Sequence, residues 1–272
     1  ASHQTESGFT GQAMNTTYAD YLIIARDTAK ATERVARQPQ IAREVDYYLS
    51  KISKVKTAEE FVADRRLMSV ALTAFGIGDM VYAKAFVRKL LTEGTDSPEA
   101  FANRLADQRY LDFAKTFDFK RYGAATTAFG AAQKGVADKY IRQNLETQAG
   151  TTNEGVRLAL YFERHALELE SVSGILADKA MITVVRTMLG LPETFSLYGI
   201  DKQISILERR LEIEDLKSPD KLKKHVERFA ALWDVGRSSS QPSLVASLFG
   251  NASLDGLTDA SLANLTSART NK

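Results

Sequence analysis

Cysteine is absent from this chain of 272 residues. Disulfides, thiolate nucleophiles and Cys-based zinc sites are therefore excluded. A reducing cytoplasm suits such a chain, and so does export without bridges. Histidine is scarce: the three residues are His3, His165 and His225. No uncharged apolar run approaches the roughly 18–20 residues that span a bilayer, so no transmembrane segment is expected. Ala1 to Met14 is polar with several small side chains and lacks the charged-then-apolar plan of a signal peptide. An excess of one charge is missing too, with 36 Lys and Arg against 34 Asp and Glu, a net charge of +2. That balance gives no strongly basic surface for nucleic acid, so no nucleic-acid partner is expected. A soluble, cytoplasmic protein is the expectation. Export without a cleaved signal is the alternative.

What is present suffices for a folded core. Hydrophobic residues make up 44% of the chain and charged residues 26%, close to globular averages. Three segments share one pattern, an Asp followed by apolar residues on one helical stripe and a Thr nine positions on. Asp64 leads Leu67, Val70, Ala71 and Thr73. Asp107 leads Tyr110, Phe113, Ala114 and Thr116. Asp178 leads Met181, Val184, Val185 and Thr187. Offsets of three, six and seven lie on one face of an α-helix. An Asp just ahead of that face accepts hydrogen bonds from the first free N–H groups and suits the positive end of the helix dipole. These aspartates read as caps, not as acids or ligands.

Around them the chain reads as helix throughout, since no stretch alternates with period two. One long helix is expected over 18–37 and a second over 41–53 after Pro39. A capping box at Thr57–Glu60 starts a short third. Further helices are expected from Asp79 to Gly94, from Ser97-Pro-Glu-Ala100, and over 107–117. A Gly- and Ala-rich loop over 122–135 precedes a helix at 136–146, and 149–155 reads as a turn. Helices follow at 155–171 and 178–189, then after Asp201, and finally from Ser218-Pro-Asp220 to Trp233. The spacings between the three aspartates, 43 and 71 residues, are unequal, which argues against a solenoid of constant period. The fold class is all-α: a compact multi-helix bundle built from about three imperfect helical repeats, with flexible N- and C-terminal tails. Its parts are a flexible lead (1–15), one helical domain with internal repeats (16–236) and a Ser/Ala/Leu tail (237–272). The tail's Leu244, Leu248, Phe249, Leu254, Leu257, Leu262 and Leu265 suit docking on its own domain or on a partner.

Reactive constellations are few. His165 and Glu168 share a helix face with Glu163 nearby, and these three residues mark the one candidate small-molecule or metal site. No third and fourth ligand stand at a diagnostic spacing, and i,i+3 spacing is the ordinary use of salt partners. His225 reads as solvated. No Gly-x-Ser-x-Gly elbow supports a Ser–His–Asp triad. Gly76-Ile-Gly78 is too short for a dinucleotide fingerprint and follows a helix. The aromatic group Phe101, Tyr110, Phe113, Phe117 and Phe119 reads as core. No catalytic residue, cofactor or metal is expected.

Four motifs carry a resemblance: Ala74-Phe-Gly-Ile77, Tyr82-Ala-Lys-Ala-Phe86, Phe101-Ala-Asn-Arg-Leu-Ala-Asp-Gln-Arg-Tyr110 and Ala159-Leu-Tyr-Phe-Glu-Arg164. With them the chain, from about Tyr18 to Trp233, resembles an alphaproteobacterial family classified as a domain of unknown function. Genes of that family often lie in flagellar clusters. The resemblance implies an accessory role in flagellar assembly or motility, with other proteins, such as flagellar components, as partners. It implies a process rather than a chemistry, and no catalytic residue comes with it.

Overall fold

The computed structural model describes residues 16–240, with side chains through residue 237. Its helices are α1 Thr17–Ala25, α2 Thr28–Ala36, α3 Pro39–Ile52, α4 Ala58–Ala63, α5 Arg65–Ala74, α6 Lys84–Glu93, α7 Gln108–Thr116 and α8 Phe119–Tyr122. They continue as α9 Lys134–Thr152, α10 Glu154–Ala166, α11 Val172–Ala177, α12 Lys179–Met188, α13 Ile200–Glu208, α14 Ile213–Leu216 and α15 Pro219–Ser240. Short 3₁₀ helices stand at Gly78–Tyr82, Phe101–Arg104, Gly123–Ala128 and Glu193–Leu197. The described residues contain no strand. The chain divides into two compact units, 1–233 and 234–272, and only the last turns of α15 are described in the second.

All three repeated aspartates cap helices. Asp64 accepts from the Leu67 N–H at 3.0 Å, Asp107 from Arg109 at 3.0 Å, and Asp178 from Ala180 and Met181 at 2.7 and 3.0 Å. The first and third share more than the cap. In each, a Tyr hydroxyl 17 residues earlier donates to the second carboxylate oxygen: Tyr47 to Asp64 at 2.8 Å and Tyr161 to Asp178 at 2.5 Å. In each, a six-residue helix precedes the Asp. Each Asp-headed helix ends at a glycine of positive φ, Gly76 at 71° and Gly190 at 63°. The next N–H then reaches back five residues, Ile77 to Leu72 and Leu191 to Arg186, which closes a Schellman turn. The middle segment differs. Asp107 follows a 3₁₀ turn and is gripped by Arg109 instead of a Tyr.

Several sequence expectations need correction. The helix expected over 18–37 is broken at Asp27 (φ −147°), whose carboxylate caps α2 through the Lys30 N–H at 2.9 Å. The apolar rhythm crosses that point unchanged, so only the short Asp side chain marks it. The turn expected over 149–155 shrinks to one extended residue, Asn153 (φ −149°, ψ 106°), because α9 runs on through Gly150 to Thr152. Asn153 caps α10 through Gly155 and donates to Thr17 Oγ1 at 3.1 Å, which ties α1 to the break. Residues 97–100 form a turn rather than a helix start, and residues 79–82 belong to a 3₁₀ helix. The loop expected over 122–135 contains a 3₁₀ helix, and α10 stops at Ala166 rather than continuing to 171. Helix α15 continues past Trp233 to Ser240, so its end overlaps the expected tail. The lead at 1–15 and the tail leucines lie outside the described residues.

Burial gathers in two hydrophobic clusters. The first, built on α2–α7 and α9, centres on Phe61, Phe75, Phe113 and Phe117, with ring centroids from 4.9 to 6.4 Å apart. The expected aromatic core is thus present, with Phe101 and Tyr110 packed edge-to-face against Phe86 at its margin. The second, on α1 and α10–α15, gathers Leu160, Phe162, Val184, Met188, Phe195 and Phe229. Where α1 crosses α10, Gly155 lets the Trp233 indole approach. A Cβ at 155 would lie 2.5 Å from Trp233 Cδ1 and 2.7 Å from Thr17 Cγ2. Gly155→Ala should therefore destabilise the fold by about 1–3 kcal/mol, the usual cost of overpacking. Gly130→Ala, where no atom lies within 4 Å, should be near neutral. Equal denaturation midpoints for the two variants would refute this packing account.

Candidate functional site

A cleft of about 700 Å³ opens where α7, α9, α10 and the α11–α12 corner meet. Its walls come from the segments headed by Asp107 and Asp178, together with α9 and α10. At the start of α7, Arg109 forks onto Asp107, Nε to Oδ1 at 3.0 Å and Nη2 to Oδ2 at 2.7 Å. Its remaining arm donates to the Gly76 carbonyl at 2.7 Å and so pins α7 to the corner after α5. Opposite stands Tyr161, buried in α10, with its hydroxyl on Asp178. Burial first, then the Asp178 charge, holds that phenol far above its ordinary range. The ring stacks on His165 at 4.2 Å between centroids. His165 Nδ1 lies 3.4 Å from Glu168 Oε2, and that hydrogen bond holds the Glu168 carboxyl below its usual value.

Asp112 is the exception among these acids. It is half-buried on the cleft-facing side of α7, and its carboxylate forms no hydrogen bond or ion pair among the described residues. Burial pushes its pKa up, and the Lys139 charge only partly opposes that shift. The cleft thus contains two aspartates committed to capping, one His–Glu pair and, in Asp112, a half-buried carboxylate without a hydrogen bond or ion pair among the described residues.

Behind the cleft lies a polar seam between the two hydrophobic clusters. Glu146 of α9 is fully buried. It accepts from Arg142 Nε at 3.0 Å and from Arg164 Nε and Nη2 at 2.8 Å each. Arg164 also donates to Gln143 Oε1 at 3.2 Å. Helices α9 and α10, which belong to different clusters, are clasped by these bonds.

Of the three residues marked from the sequence, the structure brings His165 and Glu168 together on the cleft and sends Glu163 elsewhere. Glu163 lines a separate groove beside Tyr21, whose phenol is raised well above its usual range by burial and by the Glu163 charge. The three therefore do not form one site. His225 is half-buried rather than solvated, and burial lowers its pKa. Arg109, Asp112, Lys139 and Tyr161 were not marked from the sequence. Tyr161 had a signal, the 17-residue Tyr–Asp spacing that Tyr47 and Asp64 repeat. Asp112 had none. Among the described residues no cluster of three His, Asp or Glu is placed to hold a metal ion. No described helix is long and apolar enough to cross a membrane.

These features define an all-α protein with two hydrophobic clusters, a buried ionic seam and a mixed-charge cleft. The chain belongs to the family described as "Protein of unknown function (DUF1217)", whose model matches residues 74–222. It is similar to the crystal structure of protein AGR_C_984 from Agrobacterium tumefaciens, at 48% identity and a TM-score of 0.76. That alignment covers 81% of this chain and 94% of the other. No curated protein matches the chain.

The state of Asp112 gives a signed prediction. A carboxyl whose folded pKa is raised binds its proton more tightly in the native state, so its burial opposes folding at neutral pH and ceases to do so on acidification. Asp112→Asn should therefore raise stability at pH 7, and the gain should shrink as the pH falls toward the ordinary carboxylate range. Denaturant unfolding at several pH values reads this directly. A loss of stability at pH 7 would mean that Asp112 has a partner the account omits.

Proposed function

We propose that this chain is a non-enzymatic helical scaffold that binds other proteins as an accessory to flagellar assembly or motility. The carrying observation is a pair of apolar side chains held out at matching corners. Tyr82 ends the 3₁₀ turn after Gly76 and is 79% exposed; Leu197 ends the 3₁₀ turn after Gly190 and is 82% exposed. Tyr198 and Ile200 extend the second corner. Single exposed apolar residues are ordinary, but a contiguous group is the usual mark of an interaction surface. Each corner also sets a cation on a ring, Arg65 over Tyr82 at 4.7 Å and Lys202 over Tyr198 at 4.1 Å. A rigid aromatic anchor beside a charge is a common hot-spot composition. We read the two segments as copies of one unit, a reading supported by their shared Tyr–Asp bond and Schellman turn.

The flagellar part of the reading rests on the family resemblance. Partners are then flagellar proteins met in the cytoplasm, or outside it if the chain is exported through the flagellar apparatus. Against an enzymatic role, Asp107 and Asp178 are committed to capping and His165 to Glu168. A small-molecule or enzymatic reading centred on the cleft is second, and the unpaired Asp112 is the observation that favours it.

Motility separates the two. A deletion strain should swim poorly and assemble few filaments. Complementation with Tyr82→Ser plus Leu197→Ser should fail although the purified variant keeps its melting temperature. Complementation with Asp112→Asn or His165→Gln should succeed. Normal motility in the deletion strain, with no flagellar protein recovered by capture, would sink the proposal. The reverse complementation pattern would transfer it to the cleft.

A further inference from the structure

We propose that the groove formed by α1, α10 and α15 binds a short amphipathic segment of a partner protein that carries an apolar anchor flanked by carboxylates. This rests on the protein-binding reading above and names the partner's chemistry at a surface distinct from the two corners. The groove holds about 390 Å³, toward the lower end of ligand-site volumes of roughly 300–1,000 Å³. Its floor is apolar: Tyr21 and Leu222 are buried, and Leu22 and Ala25 of α1 stand beside them. One wall is Leu167, which remains 54% exposed just past the end of α10, together with exposed Pro219. A leucine left that open beside a buried cluster has apolar surface still to be covered.

Charge at the rim selects the partner. Arg26 at the end of α1 and Lys223 in the first turns of α15 both line the groove and are exposed. Neither side chain makes a hydrogen bond or ion pair among the described residues. The one acid in the lining, Glu163, faces the Tyr21 phenol. Two free cations over an apolar floor complement a segment with carboxylates on either side of a large apolar residue. Helix-in-groove recognition uses that pattern, the apolar face filling the floor and the flanking charges setting register. A fatty acid would also offer a carboxylate and apolar surface. An alkyl chain calls for a site closed on most sides, whereas here Leu167, Pro219 and both cations face solvent.

The test uses the full-length protein and a fluorescein-labelled helical peptide of about 15 residues, long enough to sample helix. The peptide carries Leu at i and i+4 with Glu on either side. We expect saturable binding by anisotropy that weakens as salt rises. The double reversal Arg26→Glu plus Lys223→Glu should weaken binding by at least about tenfold, as should replacing the peptide's Glu by Lys. Lys54→Glu, exposed and outside the groove, should leave binding unchanged. Absence of saturable binding, equal binding of the charge-reversed peptide, or indifference to the double reversal would each overturn the proposal. Saturable binding of dodecanoate without peptide binding would overturn it in favour of a fatty-acid site. The broader reading is scored separately. If the peptide fails while the Tyr82 and Leu197 variants still abolish motility, the groove falls and the scaffold role stands.

Discussion

The carboxylate of Glu146 is the constraint around which the two hydrophobic clusters are arranged. Removing a carboxylate from water costs several kcal/mol after relaxation, and that cost is offset only when charged donors replace the lost hydration. Here three N–H groups from two arginines do so, at 2.8–3.0 Å. Arg142 lies on the same helix as Glu146, one turn away, whereas Arg164 reaches across from α10. The carboxylate is therefore satisfied only when α9 and α10 sit in one register. That register in turn sets where the first cluster's helices and the second's meet. Among the half-buried apolar side chains, Ile24 packs against both clusters and so joins them at a second place.

The cleft follows from the same arrangement. Arg164 carries Tyr161 and His165 on its own helix, so fixing Arg164 on Glu146 presents both to α7. Tyr161 then latches Asp178, which heads α12, while Arg109 latches Asp107 and the Gly76 carbonyl. Each polar bond at the cleft therefore has a structural task before any binding task. The corner residues Tyr82 and Leu197 and the groove at Tyr21 are different in kind. At these places Tyr82, Leu197 and Leu167 leave most of their apolar surface in water, which is why they, rather than the cleft, carry the binding proposals.

What could be read in the sequence was local. Asp64, Asp107 and Asp178 were legible as caps because an acid ahead of an apolar helical stripe has one ordinary use. The helices after them were legible from the stripe itself. The breaks at Asp27 and Asn153 were not, because apolar spacing continues across both and the distinction lies in one backbone conformation. Gly150 looked like a turn yet stays helical. The cleft was half legible. His165 and Glu168 share a helix face and do meet, but Glu163 points to another surface, since two residues along a helix turn the side chain through most of a half-circle. Glu146 was invisible in the sequence, where it stands among many acids. Its burial depends on Arg164, 18 residues away on the next helix.

Native-state hydrogen exchange on Arg164→Met tests the central claim most directly. This change removes both of the bonds that Glu146 receives from α10 and leaves a side chain of similar length. If the Glu146–Arg164 clasp joins the clusters, amides of α5 and α12 share one opening free energy in the unmodified protein. In the variant, α12 should lose protection at lower denaturant than α5. If both helices keep a common opening free energy in the variant, unchanged from the parent, the clasp is not what joins them.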